Sequence, residues 1–152
     1  MRGNRRTVSA AAVLELQSRP AVELPAPPAL VARVGEPTPV QDEWRSWIGW
    51  STSWQPQTQQ DAVRGDWVID PDTVKRAGRL VVLVAGFVAA AYAVTDVDLQ
   101  YWDELANRRR ARFLVEDDED AAGPFTGRRW QLPPGWAVAV IDAKGGQAGS
   151  AA

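Results

Sequence analysis

The chain has 152 residues, 45% hydrophobic and 24% charged, with a formal net charge of −2, which leaves room for one domain plus tails and no second core. That charge sets up no overall field to attract nucleic acid or anionic lipid, so either partner would have to be held by a local patch. With no Cys and no His there are no disulfides and no thiolate or imidazole ligands, which excludes zinc fingers, zinc hydrolases and the Ser-His-Asp and Cys-His enzymes; the lack of Cys fits a reducing, cytoplasmic setting.

The first twenty residues carry Arg and then small and apolar residues, superficially like an export signal, but Ser9 and Glu15 interrupt the apolar stretch and export is not expected. Residues 7–18 predict a short helix with Thr7 or Ser9 as cap. From Arg19 to Pro39 repeated Pro favours extended, polyproline-like chain. Residues 1–40 are therefore expected to form a disordered, Pro-rich N-terminal arm, residues 41–142 the domain, and residues 143–152 a disordered tail.

Trp44, Trp47, Trp50 and Trp54 recur at spacings of three, three and four, which on a helix gives one aromatic face; Gly49 and the Ser-Thr-Ser after it argue that such a helix ends near Trp50. Residues 65–70 read as a short strand closed by Pro71, followed by a polar connection or one helical turn to Arg79. The longest apolar run, residues 80–94, is shorter than the ~20 residues that cross a bilayer as a helix, and Gly86 divides it into strands 80–84 and 87–97 of a buried hairpin. Both faces of the second strand are apolar, so it is placed centrally; a helix over its Ala-rich half is the rival. A loop or short helix over 99–107, a strand over 108–116, an acidic turn over 116–120, a strand near 128–132 and a closing strand over 136–141 complete the domain. The fold class expected is mainly β with short helices, an α+β arrangement.

Arg64-Gly65-Asp66-Trp67, the hairpin 82–94 with Gly86 and Tyr92, Arg110-Ala111-Arg112-Phe113, and Phe125-Thr126-Gly127-Arg128 follow one another in an order that resembles the PUA-like small β-barrel modules, the group of the EVE and ASCH domains. The resemblance spans roughly residues 60–141. It implies a small mixed β-barrel that reads nucleic acid, often a modified or flipped base, without catalysis; no cofactor or metal is expected. Two features depart from the group: Ala in place of charge around the hairpin turn, and the acidic run 116–120, a poor neighbour for phosphate.

From the residues themselves, Arg108, Arg110, Arg112, Arg128 and Arg129 are the candidates for phosphate contact, since guanidinium forks match phosphate oxygens; the alternative is a solvated edge neutralised by the acidic run. Trp50, Trp54, Trp67 and Trp102 could stack on an unpaired base, with Asp66 or Asp70 at its hydrogen-bonding edge, or each Trp could simply pack. The pairs Asp70 and Asp72, and Asp96 and Asp98, could hold a hard cation in a small hydrolase but read more simply as turn residues. The Arg-Gly-Asp tripeptide at 64–66 is too short to carry an adhesion role. The second reading of the whole is a structural or assembly protein, phage-like, docking protein partners or copies of itself through the arm and the Trp-rich surface. No membrane partner is expected.

Overall fold

The computed structural model describes residues 9–141 and the backbone of residues 147–150. Helix α1 covers Ala10–Ser18, with the Ser9 side chain accepting from the Ala12 N–H, as an N-cap should. Strand β1, Ala29–Arg33, lies at the centre of the main sheet, paired in parallel with β4 (Arg79–Val84) and antiparallel with β7 (Val138–Ile141). The domain thus begins inside the segment expected to be a disordered arm. Proline forbids ladder pairing only where it stands, and residues 29–34 contain none.

The tryptophan stripe does not form a helix. Thr38–Pro39 (β2) pairs with Trp47–Ile48 (β3) in a small hairpin of its own, and the chain then bends at Gly49, whose φ is +95°. A Cβ there would lie 2.4 Å from the Glu36 carbonyl oxygen, so the bend demands glycine. Helix α2 spans Pro56–Val63. The strand expected over 65–70 is reduced to one bridge, Trp67 to Ala111, and the polar connection after it is helix α3, Pro71–Ala77.

The hairpin expected across Gly86 is present: β4 pairs antiparallel with β5, Phe87–Asp103, through a turn at Ala85 and Gly86, both at positive φ. β5 runs far longer than expected, through two register shifts. Residues 99–103 are strand, not loop or helix, because they pair with Arg108–Arg112 of β6 (Arg108–Glu116) in unbroken register. A short helix, α4 (Glu119–Ala122), starts within the acidic turn. Near residues 128–132 only isolated bridges form, from Arg129 to Ala21 and to Phe87. Of the tail expected to be disordered, Gln147–Ser150 pairs with β7 as strand β8; residues 143–146 and 151–152 lie outside the described residues.

The strand order is β6-β5-β4-β1-β7-β8: a mixed α+β fold in which strands outweigh helices. No pairing joins β6 to β8 among the described residues, so both are sheet edges. Each face is covered, which explains why β1 and β4 are apolar without alternation. On one side α2, α3 and the segment between them bring Val63, Val74 and Ile69 against Leu30, Leu80, Val82 and Phe113. On the other, Val22, Ala26, Phe125 and Trp130 cover Val31, Val81, Leu83 and Ile141. No helix among the described residues is long and apolar enough to cross a membrane.

Candidate functional site

The segment 64–67 lies along the outer edge of β6. The Trp67 N–H donates to the Ala111 carbonyl and the Ala111 N–H to the Trp67 carbonyl, each at 2.9 Å, and the Phe113 N–H donates to the Arg64 carbonyl at 2.8 Å. This contact needs Gly65, because a Cβ there would stand 2.7 Å from the Arg112 Cα, where no side chain fits.

Asp66 is thereby set beside β6. Arg112 Nε donates to its Oδ1 at 3.2 Å, the Tyr101 hydroxyl to its Oδ2 at 3.3 Å, and Arg110 Nη1 to its carbonyl at 3.0 Å. Arg110 also donates to Asp103 at 2.7 Å. Arg64 binds Asp61 and Asp98, both at 2.8 Å; burial pulls its pKa down, but those two carboxylates outweigh it and leave the pKa raised. Trp44 sits against this network with the guanidinium carbons of Arg112, Arg45 and Arg64 at 4.0, 4.4 and 4.6 Å from its ring centroid, within cation–π range. Arg45 donates to Asp42 and to the Gly65 carbonyl.

Between this network and the β2–β3 hairpin lies a cavity of about 410 Å³, lined among others by Arg33, Glu36, Thr38, Arg45, Asp66, Trp67 and Arg110. Trp67 is held by its indole N–H, which donates to the Val63 carbonyl at 2.7 Å, and by packing on the core. A second cavity of about 460 Å³ contains the Gly86 turn and Trp130 and shares Arg33 and Val34 with the first. Arg33 is itself stacked on Trp136, 4.1 Å from the ring centroid.

The residues singled out in the sequence part company here. Trp67, Asp66 and Arg110 meet at the first cavity, and Arg112 stands directly behind Asp66. Arg108 and Arg109 are exposed at the start of β6. Arg128 and Arg129 lie at the other end of β5, donating to the Ala21 and Arg19 carbonyls, so the arginines form no single cluster. Trp50 and Trp54 pack against the core, Trp54 also 5.7 Å from Trp47. Trp102 is exposed on β5. Asp70 caps α3, accepting from the Asp72 N–H and the Thr73 hydroxyl. Asp98 is taken up by arginines, and Asp96 pairs with Lys75 at 3.3 Å. The sequence reading missed Arg33, Arg45, Trp44 and Tyr101. For Arg45, its place among four Trp was the available signal; for Arg33, its position closing an apolar run.

No family model matches the chain, and neither a curated protein nor a solved structure matches it.

Proposed function

We propose that the protein is a non-catalytic nucleic-acid-binding module of PUA-like kind, taking one unpaired or modified base into the cavity beside Trp67. The observation that carries this reading is the convergence of Trp67, Asp66 and three arginines, Arg33, Arg45 and Arg110, on one concavity. A base needs a flat apolar partner and a polar group at its edge; Trp67 offers the first, and the Asp66 carboxylate keeps lone pairs beyond those used by Arg112 and Tyr101. Each of the three arginines retains N–H donors for phosphate, and Arg33 has no carboxylate partner among the described ion pairs, whereas Arg45 and Arg110 are paired with Asp42 and Asp103.

Two further points support the family resemblance. Arg64-Gly65-Asp66-Trp67 and Arg110-Ala111-Arg112-Phe113 pair directly across the edge of β6, and the β4–β5 hairpin adjoins β6 in the same sheet, with Phe125 in the cover of its opposite face. The acidic run, which argued against phosphate, begins at Glu116, six residues along β6 from Arg110 and so ~20 Å away.

Fluorescence anisotropy with labelled single-stranded oligonucleotides, and with duplexes carrying a mismatched or modified base, tests the reading. Binding should weaken with salt at a slope near −0.7 per phosphate contacted, so that Arg33→Ala lowers the slope by about that amount. Trp67→Leu, which keeps an apolar side chain on the core, should cost about 1–3 kcal/mol. Absence of binding to every such probe at low salt would overturn it.

A further inference from the structure

Two elements bearing exposed apolar side chains have no partner among the described residues. Helix α1 buries none of its residues and exposes Val13 and Leu14, although a nine-residue helix is not expected to persist in water without a surface to pack on. At the other extreme, β5 beyond Val94 pairs with β6 alone, so the two strands leave the sheet as a ribbon, covered on its outer edge only by residues 64–67. Near its tip Trp102 is 53% exposed and Leu105, in the turn, is fully exposed. Trp102 stands directly across from Arg109, so the two share one face of the ribbon.

These elements are complementary. The ribbon tip offers Trp102 and Leu105 beside Arg108 and Arg109; of its two carboxylates Asp103 is taken by Arg110 at 2.7 Å, and Glu104, exposed in the turn, offsets only one of the two arginines. The helix offers Val13 and Leu14 beside Glu15, its one charged residue. Glu15 is bound only by an exposed contact to Arg19, worth little in water, and can turn to the ribbon's arginines.

They cannot meet within one chain. The residues just after α1 are held by Arg129, whose N–H donates to the Pro20 carbonyl and whose Nε donates to the Arg19 carbonyl. Arg129 in turn bridges to Phe87, the first residue of β5. The ribbon tip follows the last residue of that same strand, sixteen steps on, or roughly 50 Å at ~3.3 Å per residue. Nine helical residues span only ~14 Å.

We infer that α1 of one copy docks on Trp102, Leu105 and Arg109 at the ribbon tip of a second copy, joining the chains head to tail. Such a contact is heterologous and produces a ring or an open filament, not a simple two-fold dimer. It goes beyond the nucleic-acid reading and does not rest on it.

Multi-angle light scattering and sedimentation velocity on the full chain test the proposal. Wild type should show a mass that rises with concentration above the 16.6 kDa of one chain. A helix variant, Val13→Ser with Leu14→Ser, and a ribbon variant, Trp102→Ser with Leu105→Ser, should each remain monomeric. All four side chains are exposed or nearly so, and unchanged near-ultraviolet dichroism reports that the fold is kept. Mixed in equal amounts, the two variants should form a dimer and nothing larger, because one intact helix and one intact ribbon remain between them. A wild type that stays monomeric at every concentration, an association that survives in either variant, or a mixture that stays monomeric would overturn the proposal. Association that survives in the helix variant would mean that ribbon meets ribbon, and association that survives in the ribbon variant that helix meets helix.

Discussion

Gly65 decides whether the candidate site exists at all. Its neighbour across the strand contact is not a flexible side-chain end but the Arg112 Cα, with Arg112 Cβ at 2.8 Å from the same ideal Cβ position. Neither atom can yield without moving β6, which is held on its other side by β5. Gly65→Ala should therefore destabilise the fold by about 1–3 kcal/mol, the usual cost of forcing extra volume into a packed contact. It should also push Asp66 away from Arg112 and Tyr101, so that affinity for an oligonucleotide falls by more than the loss of folded protein accounts for. Urea denaturation gives the first quantity and binding measured well below the unfolding midpoint gives the second; a variant as stable as wild type would show that the close approach is not needed.

Among the elements, the β4–β5 hairpin was the most legible, because Gly86 and the Val-rich strands on either side point to one structure. β1 was not, since the prolines around it dominate the composition of the segment, and the reason it is a strand lies in partners fifty and a hundred residues away, Val82 and Val140 among them. The tryptophan spacing failed for a related reason: a period near 3.6 marks a helix only if the backbone can be helical, and Gly49 holds a positive φ in its middle. In the candidate site Trp67, Asp66 and Arg110 could be found by reading short patterns in order, whereas Arg33, Arg45 and Trp44 reach it from segments that carry no matching pattern. Helix α3 was reduced in the sequence reading to one turn, yet its start is well specified. Asp70 caps it and Pro71 occupies its first turn. The Thr73 hydroxyl holds the Asp70 carboxyl below its ordinary pKa; burial opposes it, and the backbone N–H groups of Asp72 and Thr73 and the charge of Arg76 add to the lowering. A folded-state pKa that is depressed means stability present above the unfolded value near 3.9 and lost as pH falls through the folded one. Asp70→Ala should accordingly cost about 1 kcal/mol at pH 7, and the gap between the two unfolding curves should narrow as the pH drops below 4. A gap that is constant from pH 7 to pH 2 would assign the effect to something other than the ionised cap.

At the scale of the whole molecule, the sheet is a middle layer, and its two covers come from different parts of the chain. α2 and α3 supply one; residues 20–28 with the stretch from α4 to Trp130 supply the other. The N-terminal quarter therefore contains two parts of opposite consequence. α1 buries nothing, so removal of residues 1–18 should change the unfolding free energy by less than ~0.5 kcal/mol, as for surface changes generally. Removal of residues 1–40 takes away Val22 and Ala26 from the second cover and all of β1, in which Ala29, Leu30, Val31 and Ala32 are each fully buried. Burying Leu30 and Val31 alone contributes about 1.5–3 kcal/mol apiece, and the loss also strips β4 and β7 of the strand that joins them. Since a domain has only about 5–15 kcal/mol in total, the longer truncation should abolish cooperative unfolding, leave a protease-sensitive chain, and with it lose the nucleic-acid binding proposed above. The shorter truncation should stay folded and keep that binding while losing self-association. If the longer truncation instead melted with a sharp transition, the central place of β1 would have to be abandoned, and residues 1–40 would be the dispensable arm that their proline content suggests.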